Sequence, residues 1–370
     1  MRLKNISLLN FKNIRQAELT FNEGINCFVG NNGVGKTNLL DAIYYLSYCK
    51  SYFNPIDSQL IFHDEDFFMI QGNYERLQKP ENIYVGLKPT QKKQFKRNKK
   101  DYQRLSDHIG LLPLVLISPS DEKLIMEGSD QRRKYLDSVI TQFDKTYLDH
   151  VLRYNRGLTQ RNTLLKSLKG NKGNSSSQLE VWDSQLSHTG LMIYERREAF
   201  VQEMVPVFQN YYTYISGKEE KVSLTYHSHH QKGDMESQLR SNHDRDKILG
   251  YTTRGVHRDD LEFLLDGHPV KKVGSQGQIK TFFIALKLAQ YEFLQKNCRF
   301  FPILLLDDMF DKLDNLRGSR LIELVSRDTF QQIFITDTQR DRLLGIVEKT
   351  GKSYAFFNVD NGEILSDQSF

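Results

Sequence analysis

The chain has 370 residues, 39% of them apolar, which suits about two domains with real cores and excludes a fibrous or disordered protein. Lys and Arg number 51 against 46 acids, a formal net charge of +5, so nucleic-acid binding has to come from local clusters rather than overall charge. Apolar residues near the N-terminus are broken by Lys, Asn and Arg, no stretch approaches the roughly 18 apolar residues of a membrane span, and Cys27, Cys49 and Cys298 lack CxxC spacing; together these predict a cytoplasmic protein without a membrane segment, disulfide framework or zinc site.

The first elements are short strands, LKNISLL, AELTF and INCFVG, separated by turn-forming Asn and Gly. A glycine-rich stretch follows. Beyond it, Leu39, Leu40, Ile43, Tyr44 and Leu46 repeat at helical spacing. Further strands are predicted at FFMIQGNY, NIYVGLK and LPLVLIS, an antiparallel section. From about 121 to 249 the pattern turns helical, with long helices joined by the flexible connection KGNKGNSSSQ and ending in the His-rich HSHHQKGDMESQLRSNHDRDK. After 250, strand and helix alternate again: LEFLL, the helix TFFIALKLAQ, PILLLDD, SRLIELV, QQIFIT and RLLGIVEK. The organisation is an α/β domain split between 1–120 and 250–370, with a mixed sheet plus an antiparallel section and an all-helical insertion over 121–249.

Residues 30–37, GNNGVGKT, match GxxxxGK[ST] between a predicted strand and a predicted helix. The backbone of Gly30, Asn31, Asn32, Gly33, Val34 and Gly35, running into Lys36, Thr37 and Asn38, is suited to curl around a β-phosphate. Lys36 can reach the β and γ oxygens, and Thr37 can ligate Mg²⁺. The run ILLLDD ends a strand in paired acids, placing Asp307 to hold Mg²⁺ and Asp308 to orient or deprotonate an attacking water. Asn98-Lys99-Lys100-Asp101 fits a guanine-reading pattern, but it precedes its DxxG partner, Asp107 to Gly110, in the wrong order and sits in a basic run, so guanine specificity is not expected.

The stretch GSQGQ carries Ser275, Gly277 and Gln278, a variant of the SGGQ signature of ABC-type ATPases, ahead of a helix predicted to bury Ile279, Phe282, Phe283, Leu286, Ala289 and Phe293 on one face. In isolation it reads sooner as an ordinary helix cap made by Ser275 than as a binding site. QKKQFKRNKK, with Lys92, Lys93, Lys96, Arg97, Lys99 and Lys100, is either a solvated hairpin tip or a DNA contact. Arg132, Arg133 and Lys134 form a second basic cluster, which either contacts DNA or pairs with the nearby Asp130 and Asp137. His227, His229 and His230 lack matched ligand spacing and are expected in a mobile loop rather than a metal site.

With the signature followed by Asp307-Asp308 and then Leu313-Asp314 in the place of a D-loop, the chain resembles the RecF family of bacterial DNA-repair proteins, relatives of the SMC heads. The resemblance runs through LLNFKNIRQAEL, GINCFVGNNGVGKTNLLDAIYYLSYCKS, SPSDEKLIMEGSDQRRKYLD, LTQRNTLLK, WDSQL, TTRGVHRDDLEF, GSQGQIKTFFIALKLAQ and PILLLDDMFDKLDNLR. It implies an ABC-type P-loop ATPase head with a helical lid and ATP with Mg²⁺ as cofactors. It also implies an ATP-dependent homodimer in which Ser275, Gly277, Gln278 and Asp314 of one copy complete the nucleotide site of the other. The function implied is that of a weak, DNA-stimulated ATPase in replication, recombinational repair and the SOS response to DNA damage. Such a protein clamps gapped, single-stranded or duplex DNA and cooperates with RecR and RecO in loading recombinase. Three departures stand out: Asp308 where ABC-type enzymes usually carry Glu, Asp337 near the place of a transporter's switch His, and Val256 where the family often has Pro before His257. A transporter subunit would lack the helical insertion and keep that His. A nucleotide-gated scaffold with negligible hydrolysis is the alternative reading.

Overall fold

The computed structural model describes residues 1–89, 91–168, 176–298, 300–310 and 313–367, so most of the predicted connection KGNKGNSSSQ lies outside the described residues. In chain order, strands β1 (Arg2–Phe11), β2 (Ile14–Thr20) and β3 (Ile25–Val29) precede helix α1 (Lys36–Tyr48). Strands β4 (Phe68–Arg76), β5 (Lys79–Leu87), β6 (Gln94–Arg97), β7 (Lys100–Asp101) and β8 (Leu114–Ile117) follow. Next come α2 (Glu122–Met126), α3 (Ser129–Ile140), α4 (Lys145–Leu168), α5 (Ser176–Ser216), β9 (Val222–His227), α6 (Met235–Ser241) and α7 (His243–Leu249). Strands β10 (Asp260–Leu265) and β11 (His268–Pro269) lead to α8 (Val270–Val273) and α9 (Gln276–Asn297). The last elements are β12 (Ile303–Leu306), α10 (Asn315–Ser326), β13 (Ile333–Asp337), α11 (Arg340–Val347), β14 (Tyr354–Asp360) and β15 (Glu363–Asp367).

These elements form two compact units, one of Met1–Asp121, Tyr214–Gly217 and Ile284–Phe370, the other of Glu122–Thr213 and Lys218–Phe283. Among the described residues the first unit holds two six-stranded sheets. One is antiparallel in the order β2-β1-β4-β5-β6-β7, and the other has the order β15-β14-β3-β13-β12-β8 and is parallel except for β15. The sequence patterns explain the difference. β4 and β5 alternate buried and partly exposed residues, as strands covered on one face do, whereas β3, β8, β12 and β13 are buried at every position, as parallel strands covered on both faces are. Helix α1 packs against β4 and β5 of one sheet and β8 and β13 of the other, which is why it is buried almost all round rather than along a stripe. Phe28 and Phe334 stack with ring centroids 6.3 Å apart, and the ring of Phe21 meets the Phe334 ring edge-on at 4.9 Å, filling the core beside the mixed sheet.

The second unit is largely helical, but β9 interrupts the run of helices expected over 121–249. It pairs antiparallel with β10, which also pairs β11, giving a three-stranded sheet. The strand was missed because its partner lies beyond the His-rich segment, and alternation in VSLTYH is too short to be decisive alone. At its centre Arg161 is fully buried, donating to Asp183 at 2.7 Å, Asp246 at 2.7 Å and Thr252 at 3.0 Å, while His243 meets the other oxygen of Asp183 at 2.5 Å. One guanidinium thus ties α4 to α5 and α7. The helix α9 also departs from expectation: residues 281–291 are buried on every side rather than on one face, and Ile279 is only partly buried.

Candidate nucleotide site

The parallel register assembles the site in the first unit. On β13, Asp337 lies opposite Val29 of β3, and Leu306 of β12 lies opposite both Ile335 of β13 and Ile117 of β8. The carboxyl ends of four strands therefore finish at one edge, where ligands of open parallel sheets bind. The glycine loop from Gly30, Ser118 and the Asp307-Asp308 pair leave the sheet there, beside Thr336 near the end of β13.

The loop is held by backbone shape and by two neighbouring turns. Gly35 has φ +120°, and a Cβ there would come within 2.7 Å of the Asn13 side chain; at Gly30 a Cβ would lie 2.2 Å from the Val359 carbonyl. Asn13, in the turn between β1 and β2, donates to the Val34 carbonyl at 2.9 Å and accepts from the Asn38 amide at 2.8 Å. The Gly362 N–H, in the turn between β14 and β15, donates to the same Val34 carbonyl at 2.9 Å. Asn31, Asn32 and Gly33 are left exposed at the loop's tip, while Val34, Gly35 and Lys36 are buried. Helix α1 starts at Lys36 with no side-chain cap, so its N-terminal dipole is aimed into the loop.

The chemistry-bearing groups converge on this loop. Lys36 is 3% exposed, donates to the carbonyls of Gly30 at 2.8 Å and Asn31 at 3.0 Å, and lies 4.0 Å from the Asp308 carboxylate. The Thr37 hydroxyl donates to Asp307 Oδ1 at 2.8 Å. Asp307 is 4% exposed, and burial raises its carboxyl above the usual range, opposed by the hydroxyls of Thr37, Thr336 and Ser118. A buried carboxylate beside a hydroxyl, both hard oxygen donors, is a donor set that suits Mg²⁺. Asp308 adopts φ +45°, and its N–H donates to the Thr336 hydroxyl at 2.8 Å. Sequence reasoning missed Asn13, Ser118 and Thr336. Ser118 ends the apolar run of β8 and Thr336 stands directly before Asp337, but single hydroxyl residues at strand ends carry no signal until the register is known.

The other predicted residues stand as follows. Ser275 and Gln278 form a reciprocal cap on α9: the Gln278 N–H donates to Ser275 Oγ at 3.3 Å, and the Ser275 N–H to Gln278 Oε1 at 2.8 Å. The Gln278 amide also donates to Glu220 at 3.0 Å, and Ser275 is exposed while Gly277 is half-buried. Asp314 caps α10, accepting from the Arg317 N–H at 2.9 Å and pairing with its guanidinium at 2.6 Å. Asp337 is fully buried, pairs with Arg342 and accepts from the Gln339 N–H at 2.8 Å, so it caps the start of α11.

The basic run folds into β6, β7 and the turn between them. Two of its cations are committed within the protein: Lys93 donates to Tyr45, the Cys49 carbonyl and Asp57 at 2.9, 2.7 and 2.7 Å, and Arg97 pairs with Glu81. Lys96 lies over the Tyr84 ring, whereas Lys92, Lys99 and Lys100 are exposed. Of the second cluster, Lys134 pairs with Asp130, one of the two nearby acids, but Arg132 pairs with Asp260 at 2.6 Å, and Asp137 is taken by Arg197 at 2.8 Å. The histidine segment is a 3₁₀ turn over His229–Lys232 with a Ser228–Gln231 capping box, and His230 stacks on Tyr194. Among the described residues no group of three or more His, Cys, Asp or Glu side chains is placed to hold a metal. Nor is any helix among them long and apolar enough to cross a membrane.

The RecF/RecN/SMC N terminal domain family matches residues 2–363. A relative from Bacteroides fragilis, the DNA replication and repair protein RecF, is 53% identical over 365 residues, covering 98% of both chains. The solved structure of the recombination mediator protein RecF-ATP in the RecFOR pathway is similar at a TM-score of 0.89 and 30% identity, over 99% of this chain and 97% of the other. A Smc head domain from Pyrococcus furiosus shares the fold at a TM-score of 0.58 and 17% identity, over 99% of this chain and 96% of that one.

Proposed function

Because this chain belongs to the RecF family of the RecF/RecN/SMC N-terminal domain class, we propose that it acts in DNA replication and repair as a nucleotide-gated, DNA-binding ATPase. The observation that carries this reading is the convergence of Lys36, Thr37, Asp307 and Asp308 at the carboxyl edge of the parallel sheet. In it, the loop amides and Lys36 bind the phosphates, Thr37 and Asp307 hold Mg²⁺, and Asp308 orients or deprotonates the attacking water. When bound, Mg²⁺–ATP supplies the transferable γ-phosphoryl group and the charge that stabilises its departure.

Two copies form an isologous dimer in which the exposed Ser275, with Gly277 and Gln278, faces the phosphate bound by Lys36 and Thr37 of the other copy. The dimer clamps DNA at gaps, works with RecR and RecO to load recombinase, and is released by slow hydrolysis. Asp308, one methylene shorter than Glu and 4.0 Å from Lys36, favours slow turnover, and taken to its limit it supports the alternative of a scaffold that hardly hydrolyses. DNA-stimulated phosphate release separates the two. Wild-type turnover is expected to exceed that of Lys36→Arg and Asp308→Asn by about a hundredfold or more; turnover no faster than the variants rejects the enzymatic reading and leaves the scaffold.

A further inference from the structure

We propose that Thr336 is a positioning residue whose single hydroxyl couples Asp307 to Asp308, a role that rests on the reading of this edge as an ATPase site. Thr336 is fully buried on β13, opposite Phe28 of β3. Its oxygen accepts the Asp308 N–H at 2.8 Å. The same oxygen lies 2.9 Å from Asp307 Oδ1 and 3.3 Å from Asp308 Oδ1, so its one proton can be donated to either. A hydroxyl has one donor and two acceptor sites, so it serves the Asp308 backbone continuously but only one carboxylate at a time.

The backbone bond matters because Asp308 sits at φ +45°, a region that residues with a Cβ occupy at a cost and hold only when their surroundings impose it. Thr336 is part of what imposes it. The proton matters because Asp307 Oδ1 already receives the Thr37 hydroxyl at 2.8 Å and its Oδ2 receives Ser118 at 3.3 Å. Once Asp307 Oδ1 is committed to a cation, the Thr336 proton turns to Asp308 Oδ1, fixing the second carboxylate in response to events at the first. A valine in this place keeps the branched shape and the strand but removes both the acceptor and the proton; a serine keeps both.

The test compares full-length Thr336→Val and Thr336→Ser with wild type in three measurements: thermal melting without ligand, affinity for a fluorescent ATP analogue with Mg²⁺ and with EDTA, and single-turnover phosphate release. Thr336→Ser is expected to stay within about twofold of wild type in affinity and rate. Thr336→Val is expected to melt cooperatively, to bind nucleotide in EDTA within about threefold of wild type, to lose about fivefold or more of the affinity gained on adding Mg²⁺, and to release phosphate tens of times more slowly, the scale of a misplaced catalytic group. An unchanged Mg²⁺ gain in Thr336→Val, or a Thr336→Ser protein as impaired as Thr336→Val, overturns the proposal. Should wild type hydrolyse no faster than Lys36→Arg, the enzymatic reading fails by itself, and the Mg²⁺ gain in affinity still decides the role of Thr336.

Discussion

Asp259 shows how a single buried residue makes stability depend on pH. It is 1% exposed, bonded to the Tyr226 hydroxyl and 3.5 Å from Arg197. Burial pushes its carboxyl up from 3.8 to about 6, against the pull of Tyr226 and Arg197. Between those values the folded protein keeps a proton that the unfolded chain has lost, so this contribution to stability is fully present below about pH 4 and lost as pH rises through about 6. Asn cannot ionise. In urea denaturation, the stability of wild type minus that of Asp259→Asn is expected to fall by about 2–3 kcal/mol between pH 4 and pH 7. A flat difference would show that Asp259 titrates as it does in the unfolded chain. His230 and His257, pushed down to about 4 chiefly by burial, act in the opposite sense, which is why the difference rather than the wild-type curve isolates Asp259. The partners of neutral His257 select its tautomer: its Nε2 donates to the Thr252 carbonyl at 3.0 Å, leaving Nδ1 to accept from the Tyr154 hydroxyl at 2.7 Å.

Among elements, the hairpin of β6 and β7 divides its charges between structure and surface. Lys93 binds the C-terminal end of α1 through the Cys49 carbonyl, and Arg97 is held by Glu81, so a partner would have to displace these contacts to use either charge. Lys99 and Lys100, at and beside the turn, are exposed. If the hairpin contacts DNA phosphates, Lys99→Ala with Lys100→Ala should weaken duplex binding equally across sequences. It should also reduce the slope of log affinity against log salt by about 2, as read by fluorescence anisotropy at several salt concentrations. An unchanged slope would assign the run to a solvated tip. A count of six cations overstates this surface, because a sequence shows how many charges a run carries but not which have carboxylates folded against them.

At the scale of the whole molecule, the proposed dimer makes Ser275 the decisive position. The structure shows it exposed and capping α9, a state suited to an ordinary helix start and to a surface completed by a second copy. Light scattering should show the mass of wild type doubling on addition of ATP and DNA, and Ser275→Arg remaining a monomer; a variant that still doubles removes the cross-subunit role.

The phosphate loop was legible because its chemistry is local: glycines, Lys36 and Thr37 within eight residues, between an apolar run and a helical pattern. The acidic strand was legible for the same reason, whereas Ser275 and Asp314 are seen in the structure as helix caps. What the linear chain could not display is lateral register. Only the parallel pairing of β8, β12, β13 and β3 brings Ser118, Asp307 and Thr336 to the edge where Lys36 and Thr37 begin α1, and only the turns on either side of the loop place Asn13 and Gly362 on one carbonyl. Hydrophobic periodicity likewise marks α9 as a helix but not that it is buried all round, since that depends on what packs against each face. The amino-acid sequence alone determined which residue types suited to a phosphate stand at which spacing. The tertiary structure decided which hydroxyls hold them in place and which lysines are already engaged, because both follow from contacts between segments tens to hundreds of residues apart.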